Sequence, residues 1–180
     1  MKIAIGDLEL RSFEASDARA LYTIRNHPSV LPYMTSPTAI PYRSHVAWVK
    51  QHLIDRHDIV LFMIRLRGRP IGLSLLRPVG DETEIGLMVR EPEKYPFVPV
   101  YGAVTTLHYA FTVLGLDAVV SYALEMHDRA HAMSLAFGAE EVESDKPGQM
   151  KFRLRRAVGL ADATYRKYLG RLERRMVVTA

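Results

Sequence analysis

The sequence predicts one mixed α/β domain, and three observations carry that reading. Short β-rich runs alternate with helical patterns in the order β, α, α, β, β, β, α, β, α, β, β, α. A chain of 180 residues with 48% hydrophobic side chains supports a single core of ordinary size. Between ETEIGLMV and DAVVSYALE lies a helix-length crossover, the connection that lays two strands parallel with a right-handed turn. The expectation is a mixed sheet of six to seven strands with flanking helices.

Each element has its own signal. Leu8 to Phe13 alternates apolar and polar side chains, and Ser16 with Asp17 offers an N-cap for a helix over Ala18 to Asn26. Pro28 and Pro32 then impose an irregular segment, HPSVLPYM. After the capping candidate Ser44, HVAWVKQHLIDR places Val46, Val49 and Leu53 on one helical face. DIVLFMIRLR, PIGLSLLRPVG and ETEIGLMVRE follow at turn-length spacing and read as an antiparallel meander. Val100, Val104, Leu107, Phe111 and Leu114 share a helical face that Gly115 can end. DAVVSYALE is nearly continuously apolar, as a strand buried on both faces would be. Asp128 can cap the helix RAHAMSLAF and Gly138 can close it, before the last strand pair EEVES and QMKFRLR. Tyr165, Tyr168, Leu169, Leu172 and Met176 form the apolar stripe of a final helix that starts near Asp162.

Charge is divided unevenly along the chain. Residues 1–150 hold 15 basic and 18 acidic side chains, net −3, whereas residues 151–180 hold 9 basic and 2 acidic, net +7. Lys151, Arg153, Arg155, Arg156, Arg166, Lys167, Arg171, Arg174 and Arg175 read as a solvated helix face rather than a nucleic-acid surface. RNA binding through this tail would instead fall steeply with salt. The absence of cysteine excludes disulfides and thiolate metal sites. The opening MKIAIGDLELRSF does not look like a secretion signal, and no apolar run approaches membrane-span length. A cytoplasmic location follows as an expectation. His45, His52 and His57 lack a carboxylate at matching helical spacing, so no metal site is assigned.

Over about residues 8–156 the chain resembles the GNAT acyl-CoA N-acyltransferase superfamily. The resemblance rests on LELRSFEASDARALYTIRN, PIGLSLL, TEIGLMV and above all LHYAFTVLGLDAVVSYALEMHDRAHAMSLAFGAEEVE. RNHPSVLPYM followed by IPYRSHVAWVKQHL is similar to members that acetylate amino sugars on nucleotide carriers, and to ribosomal-protein N-terminal acetyltransferases. The resemblance implies a splayed central parallel pair that admits acetyl-CoA as co-substrate. Its pantetheine arm would lie along Leu87, Met88 and Val89. Residues 157–180 would form a basic helix packed on the same domain or on a second copy, a common way to build a homodimer.

The family's Gly-rich pyrophosphate loop falls on Lys94, Tyr95, Pro96, Phe97, Val98 and Pro99, leading into Val100, Tyr101 and Gly102. Lys94 suits the basic first position. Phe97 replaces a glycine and Pro99 removes an N–H, so one or two phosphate contacts are lost. At roughly 1.5–3 kcal/mol each, that weakens the donor about tenfold to several thousandfold. Phe97→Gly is expected to strengthen CoA binding. The asparagine that often follows the fifth strand falls on His127, and the tyrosine used as general acid falls on Ser134.

For catalysis, Glu84 is the candidate base, Tyr101 the candidate acid, and Ser134 a weaker acid. Arg25, Asn26, Tyr33, His45 and Trp48 are the candidates for holding the acceptor, with Arg25 suited to a phosphate and the aromatic rings to a sugar or base. The function implied is acetyl transfer from acetyl-CoA to a primary amine of a small molecule, such as a nucleotide-linked amino sugar, or of a protein N-terminus. The rival reading is a domain of the same fold that has lost or altered its cofactor and binds a ligand or a protein.

Overall fold

The computed structural model describes residues 2–173 and 176–179. Nine strands form one sheet: β1 (Lys2–Ile5), β2 (Leu8–Ser12), β3 (Val60–Leu66), β4 (Arg69–Val79), β5 (Glu82–Val89), β6 (Ala118–Leu124), β7 (Glu140–Val142), β8 (Gln149–Arg155) and β9 (Met176–Thr179). Their order across the sheet is β7-β8-β6-β5-β4-β3-β2-β1-β9. Every neighbouring pair is antiparallel except β5 and β6, the crossover pair.

Two strands exceed the six to seven expected, and both lie at the chain ends. Gly6, at φ +58°, turns β1 back onto β2 in a tight hairpin. Asp7 sits in the turn, and Glu9, on the inner strand β2, is matched by Lys2 at 2.7 Å and Arg11 at 3.7 Å. β9 corrects the helical reading of Met176, which pairs with Ile5 instead. Arg174 and Arg175 lie outside the described residues, as does the side chain of Leu172.

The helices are α1 (Ala18–Arg25), α2 (Tyr42–Val49), α3 (Phe97–His108), α4 (Asp128–Ala136), α5 (Arg156–Ala161) and α6 (Ala163–Glu173). α1 is entered through a 3-10 turn closed by a reciprocal capping box between Glu14 and Asp17, in which Ser16 plays no part. α2 starts after Pro41 and contains Ser44, so the expected cap is an interior residue. Of its expected apolar face, Val49 and Leu53 are buried while Val46 is 41% exposed. Both α2 and α3 finish in a π-helical turn, at Lys50–Asp55 and Tyr109–Val113. Asp162 Oδ1 accepts the Tyr165 amide at 2.8 Å and caps α6. Gly115 and Gly138 end their helices with positive φ.

Three buried clusters hold the layers together. α1 and α2 cover one face of β3 and β4 through Leu21, Ile24, Val49 and Leu53. α3 covers the other through Val104, Leu107 and Phe111, with Tyr165 of α6 fully buried beside them. Val98, at the start of α3, packs with Ile3, Leu10 and Ile64 in a third cluster.

Gly102 fixes how closely α3 lies on the sheet. A Cβ there would meet Ile64 Cδ1 at 2.9 Å and Leu87 Cδ1 at 3.0 Å. Gly102→Val should therefore destabilise the fold by about 1–3 kcal/mol through overpacking. A melting temperature equal to that of the unsubstituted protein would show that α3 can retreat freely.

Candidate active site

β5 and β6 are bridged only near where they begin. Their parallel pairing is confined to Glu84 and Val120, and beyond it the strands part. The Arg90 amide donates to the Ile71 carbonyl at 2.8 Å, so residues of the same parity, Met88 and Gly86, aim their main-chain groups at β4. Those of Leu87 and Val89 consequently face the gap. An unpaired strand edge in a protein interior is a costly arrangement unless another extended chain completes it.

The gap opens into a cleft of about 700 Å³. Leu87, Met88 and Val89 line it from β5, and Ser121, Tyr122 and Ala123 from β6. Met133, Ser134 and His127 of the α4 region form a further wall. Arg25, Tyr33 and Met34 approach from the segment after α1. β6 was expected to be buried on both faces, yet only Val119 and Val120 are. Its later residues are half-buried because they border this cleft.

At the closed end of the gap Glu84 is 7% exposed and held by two cations. Arg77 Nη2 donates to its two oxygens at 2.8 and 3.0 Å, and Lys146 Nζ donates to Oε2 at 3.0 Å. Lys146 also lies 3.3 Å from the centroid of the Tyr122 ring, whose hydroxyl donates to Asp145 at 2.7 Å. Burial, with the bond to Asp145, pushes the Tyr122 phenol above its ordinary pKa, so it stays protonated. Lys151 joins Glu82 at 2.5 Å, a bond that raises its pKa further above the ordinary lysine value.

His127 stacks on Tyr33 with ring centroids 4.0 Å apart. Loss of solvent holds its pKa below the ordinary 6.5, and the nearby His131 and Arg129 push the same way. Its imidazole is neutral at neutral pH and ready to accept a proton. Ser134 and Ser121 face each other across the wall with their hydroxyls 3.4 Å apart.

The candidates named from the sequence divide clearly. Glu84, Leu87, Met88, Val89, Arg25, Tyr33, His127 and Ser134 all border the cleft. Asn26 lies outside it: its amide donates to and accepts from the Ile40 backbone, pinning the loop before α2. His45 is 2% exposed and its Nε2 donates to the Ala18 carbonyl at 2.7 Å. Trp48 packs against the α1–α2 core. Tyr101 turns away to meet Tyr168 of α6, ring centroids 5.9 Å apart.

The loop candidates Lys94, Tyr95, Phe97, Val98, Val100 and Gly102 do not wall the cleft; their neighbours Pro92, Pro99 and Ala103 do. Lys94 lies 3.8 Å from Glu91 on the surface, and Phe97 is 43% exposed. The Val98 amide is already donated to the Tyr95 carbonyl at 3.0 Å, and Pro99 has none. Two of the first three donors of α3 are thus withheld from any anion at its start. The open edge offers main-chain groups to an extended ligand, whereas the start of α3 offers an anion few free amides. Pro99→Ala restores an amide at the cleft wall and should tighten acetyl-CoA binding about tenfold by calorimetry. An unchanged affinity would place the diphosphate elsewhere.

Sequence reasoning missed Arg77, Lys146 and Tyr122. Arg77 was findable, because it faces Glu84 directly across the β4–β5 ladder. Lys146 and Tyr122 depend on how the DKPG turn folds back, which no local pattern encodes.

A model of the GNAT acetyltransferase domain matches residues 7–140. No curated protein matches the chain. Among solved structures, the apo form of FdhC, a nucleotide-linked sugar GNAT, is 18% identical with a TM-score of 0.76, covering 96% of this chain and 98% of that one. Spermidine N-acetyltransferase from Vibrio cholerae, in complex with CoA and spermine, is 18% identical with a TM-score of 0.70, covering 86% and 98%. A domain from Methanocaldococcus jannaschii DSM 2661 is 16% identical with a TM-score of 0.70, covering 82% and 97%. At these identities the likeness speaks for the fold. No helix among the described residues is long and apolar enough to cross a membrane.

Proposed function

The chain belongs to the GNAT acetyltransferase family, and on that premise we propose that it moves an acetyl group from acetyl-CoA to a primary amine. The observation that carries the proposal is the unpaired edge of Leu87 and Val89 facing a cleft between β5 and β6. When bound, the donor supplies an acyl group activated as a thioester. Leu87 and Val89 hold the pantetheine arm as an added strand, and an amide on that edge donates to the acyl oxygen as charge develops there. His127, neutral and at the cleft wall, takes the proton that the attacking amine sheds. The Ser121–Ser134 pair offers a hydroxyl hydrogen bond to the departing sulfur, which leaves as a thiolate and takes its proton from solvent.

Glu84 has a different part. Serving as a base would require it to leave Arg77 or Lys146, so it is better suited to holding those cations at the cleft floor. Tyr101 is turned toward α6 and takes no part in the chemistry.

The similar structures act on a nucleotide-linked sugar or on spermidine, which supports a small-molecule amine as acceptor. A nucleotide-linked amino sugar is favoured ahead of a protein N-terminus, because a nucleotide-linked sugar GNAT is among the similar structures. The donor-poor start of α3 favours one rival, a module whose ligand is no longer CoA. Calorimetric titration with acetyl-CoA separates the two. Micromolar binding, followed by release of free thiol on adding an amine, is the expected result. No heat at millimolar ligand would leave only the binding module.

A further inference from the structure

Resting on the acetyltransferase reading, the cleft also carries information about its acceptor. Arg25 closes α1 and borders the cleft, where only one of its guanidinium nitrogens is engaged: Nη2 donates to the Ser36 carbonyl at 3.1 Å. Nη1 is enclosed and has no hydrogen-bond partner. Among the described residues no carboxylate forms an ion pair with Arg25. An enclosed guanidinium nitrogen without a partner is a costly arrangement, and proteins normally satisfy such a group. The other cations at the cleft are already matched, Arg77 with Glu84 and Arg129 with Glu93 at 3.0 Å. Acidic groups that could receive a polyamine are scarce: Glu84 is taken by two cations, and Asp128 is the other carboxylate of the lining.

We infer that the acceptor is a primary amine that also carries an oxyanion, and that Arg25 grips the oxyanion while the amine reaches His127. A guanidinium fork with an uncommitted nitrogen suits a phosphoryl or carboxylate group, which accepts two parallel N–H bonds. A polycation such as spermidine would meet Arg25 as a like charge.

The test is calorimetric binding to the full chain in saturating CoA, with four amines: glucosamine, glucosamine 6-phosphate, glucosaminate and spermidine. At least one oxyanion-bearing amine should bind about tenfold or more tightly than glucosamine, and spermidine should bind least well. Which of the two anions gains tells phosphate from carboxylate. Arg25→Ala should erase the preference and Arg25→Lys should restore part of it; if the alanine variant does not fold, the four affinities of the unsubstituted chain still decide. Equal affinities, or a preference for spermidine, would overturn the inference while leaving acetyl transfer standing. Failure of acetyl-CoA itself to bind would instead strike the reading beneath it.

Discussion

Ala123→Phe should abolish acetyl-CoA binding, with an affinity loss of at least about a hundredfold. Ala123 lies on the β6 wall of the gap, where the strand has already left β5. A benzyl group there occupies the space through which the pantetheine arm must pass, and no main-chain hydrogen bond is lost in making the change. The fold should be unharmed, because filling an apolar gap adds contacts rather than removing them. Calorimetry with acetyl-CoA, alongside a thermal melt, reads both effects. Ala123→Ser should bind as the unsubstituted protein does. Normal donor affinity in a well-folded phenylalanine variant would mean that the donor does not thread between these strands.

His127→Ala should lower kcat by about a hundredfold to ten-thousandfold, the range for removing a positioned base. The pH profile makes the prediction sharper. Desolvation depresses the His127 pKa below 6.5, so the neutral, proton-accepting form prevails above that value. The rate should therefore be level above pH 6.5 and fall as pH drops through the depressed pKa. Stability follows the same direction. Between 6.5 and the lower folded value the unfolded chain binds a proton that the folded one refuses, so stability is complete above 6.5 and is lost as pH falls. His45, also depressed by burial, adds to this loss. An acid limb that persists unchanged in His127→Ala would assign the base to another group, with Glu84 next in line.

Much of this architecture could be read before any coordinates. The meander, the crossover helix and the parallel pair follow from periodicity in DIVLFMIRLR through DAVVSYALE, because each segment buries one face and breaks at a turn residue. The terminal strands could not. MKIAI and MVVT are too short to show a period and gain their pairing only from each other and from β2. The site was half legible for a similar reason. Leu87 to Val89, named through the resemblance, line the cleft. Asn26, His45 and Trp48 were chemically suitable, but local hydrogen bonds and packing had already claimed them. Phe97 looked like the obstruction at the start of α3, yet it is half exposed and it is Pro99 that borders the cleft. Residue type suggests what a side chain can do; the direction it points is set by neighbours far away in the chain.

The lone bridge between Glu84 and Val120 has a mechanical meaning. Among the described residues it is the one backbone bridge between a three-stranded leaf, β7-β8-β6, and a six-stranded leaf, β5-β4-β3-β2-β1-β9, which ion pairs from Lys146, Lys151 and Arg153 to Glu84 and Glu82 also tie together. A molecule that bonds along the seam of the folded sheet stabilises it by mass action, acting as a clasp as well as a reactant. Occupancy of the seam and the cohesion of the whole sheet rise and fall together.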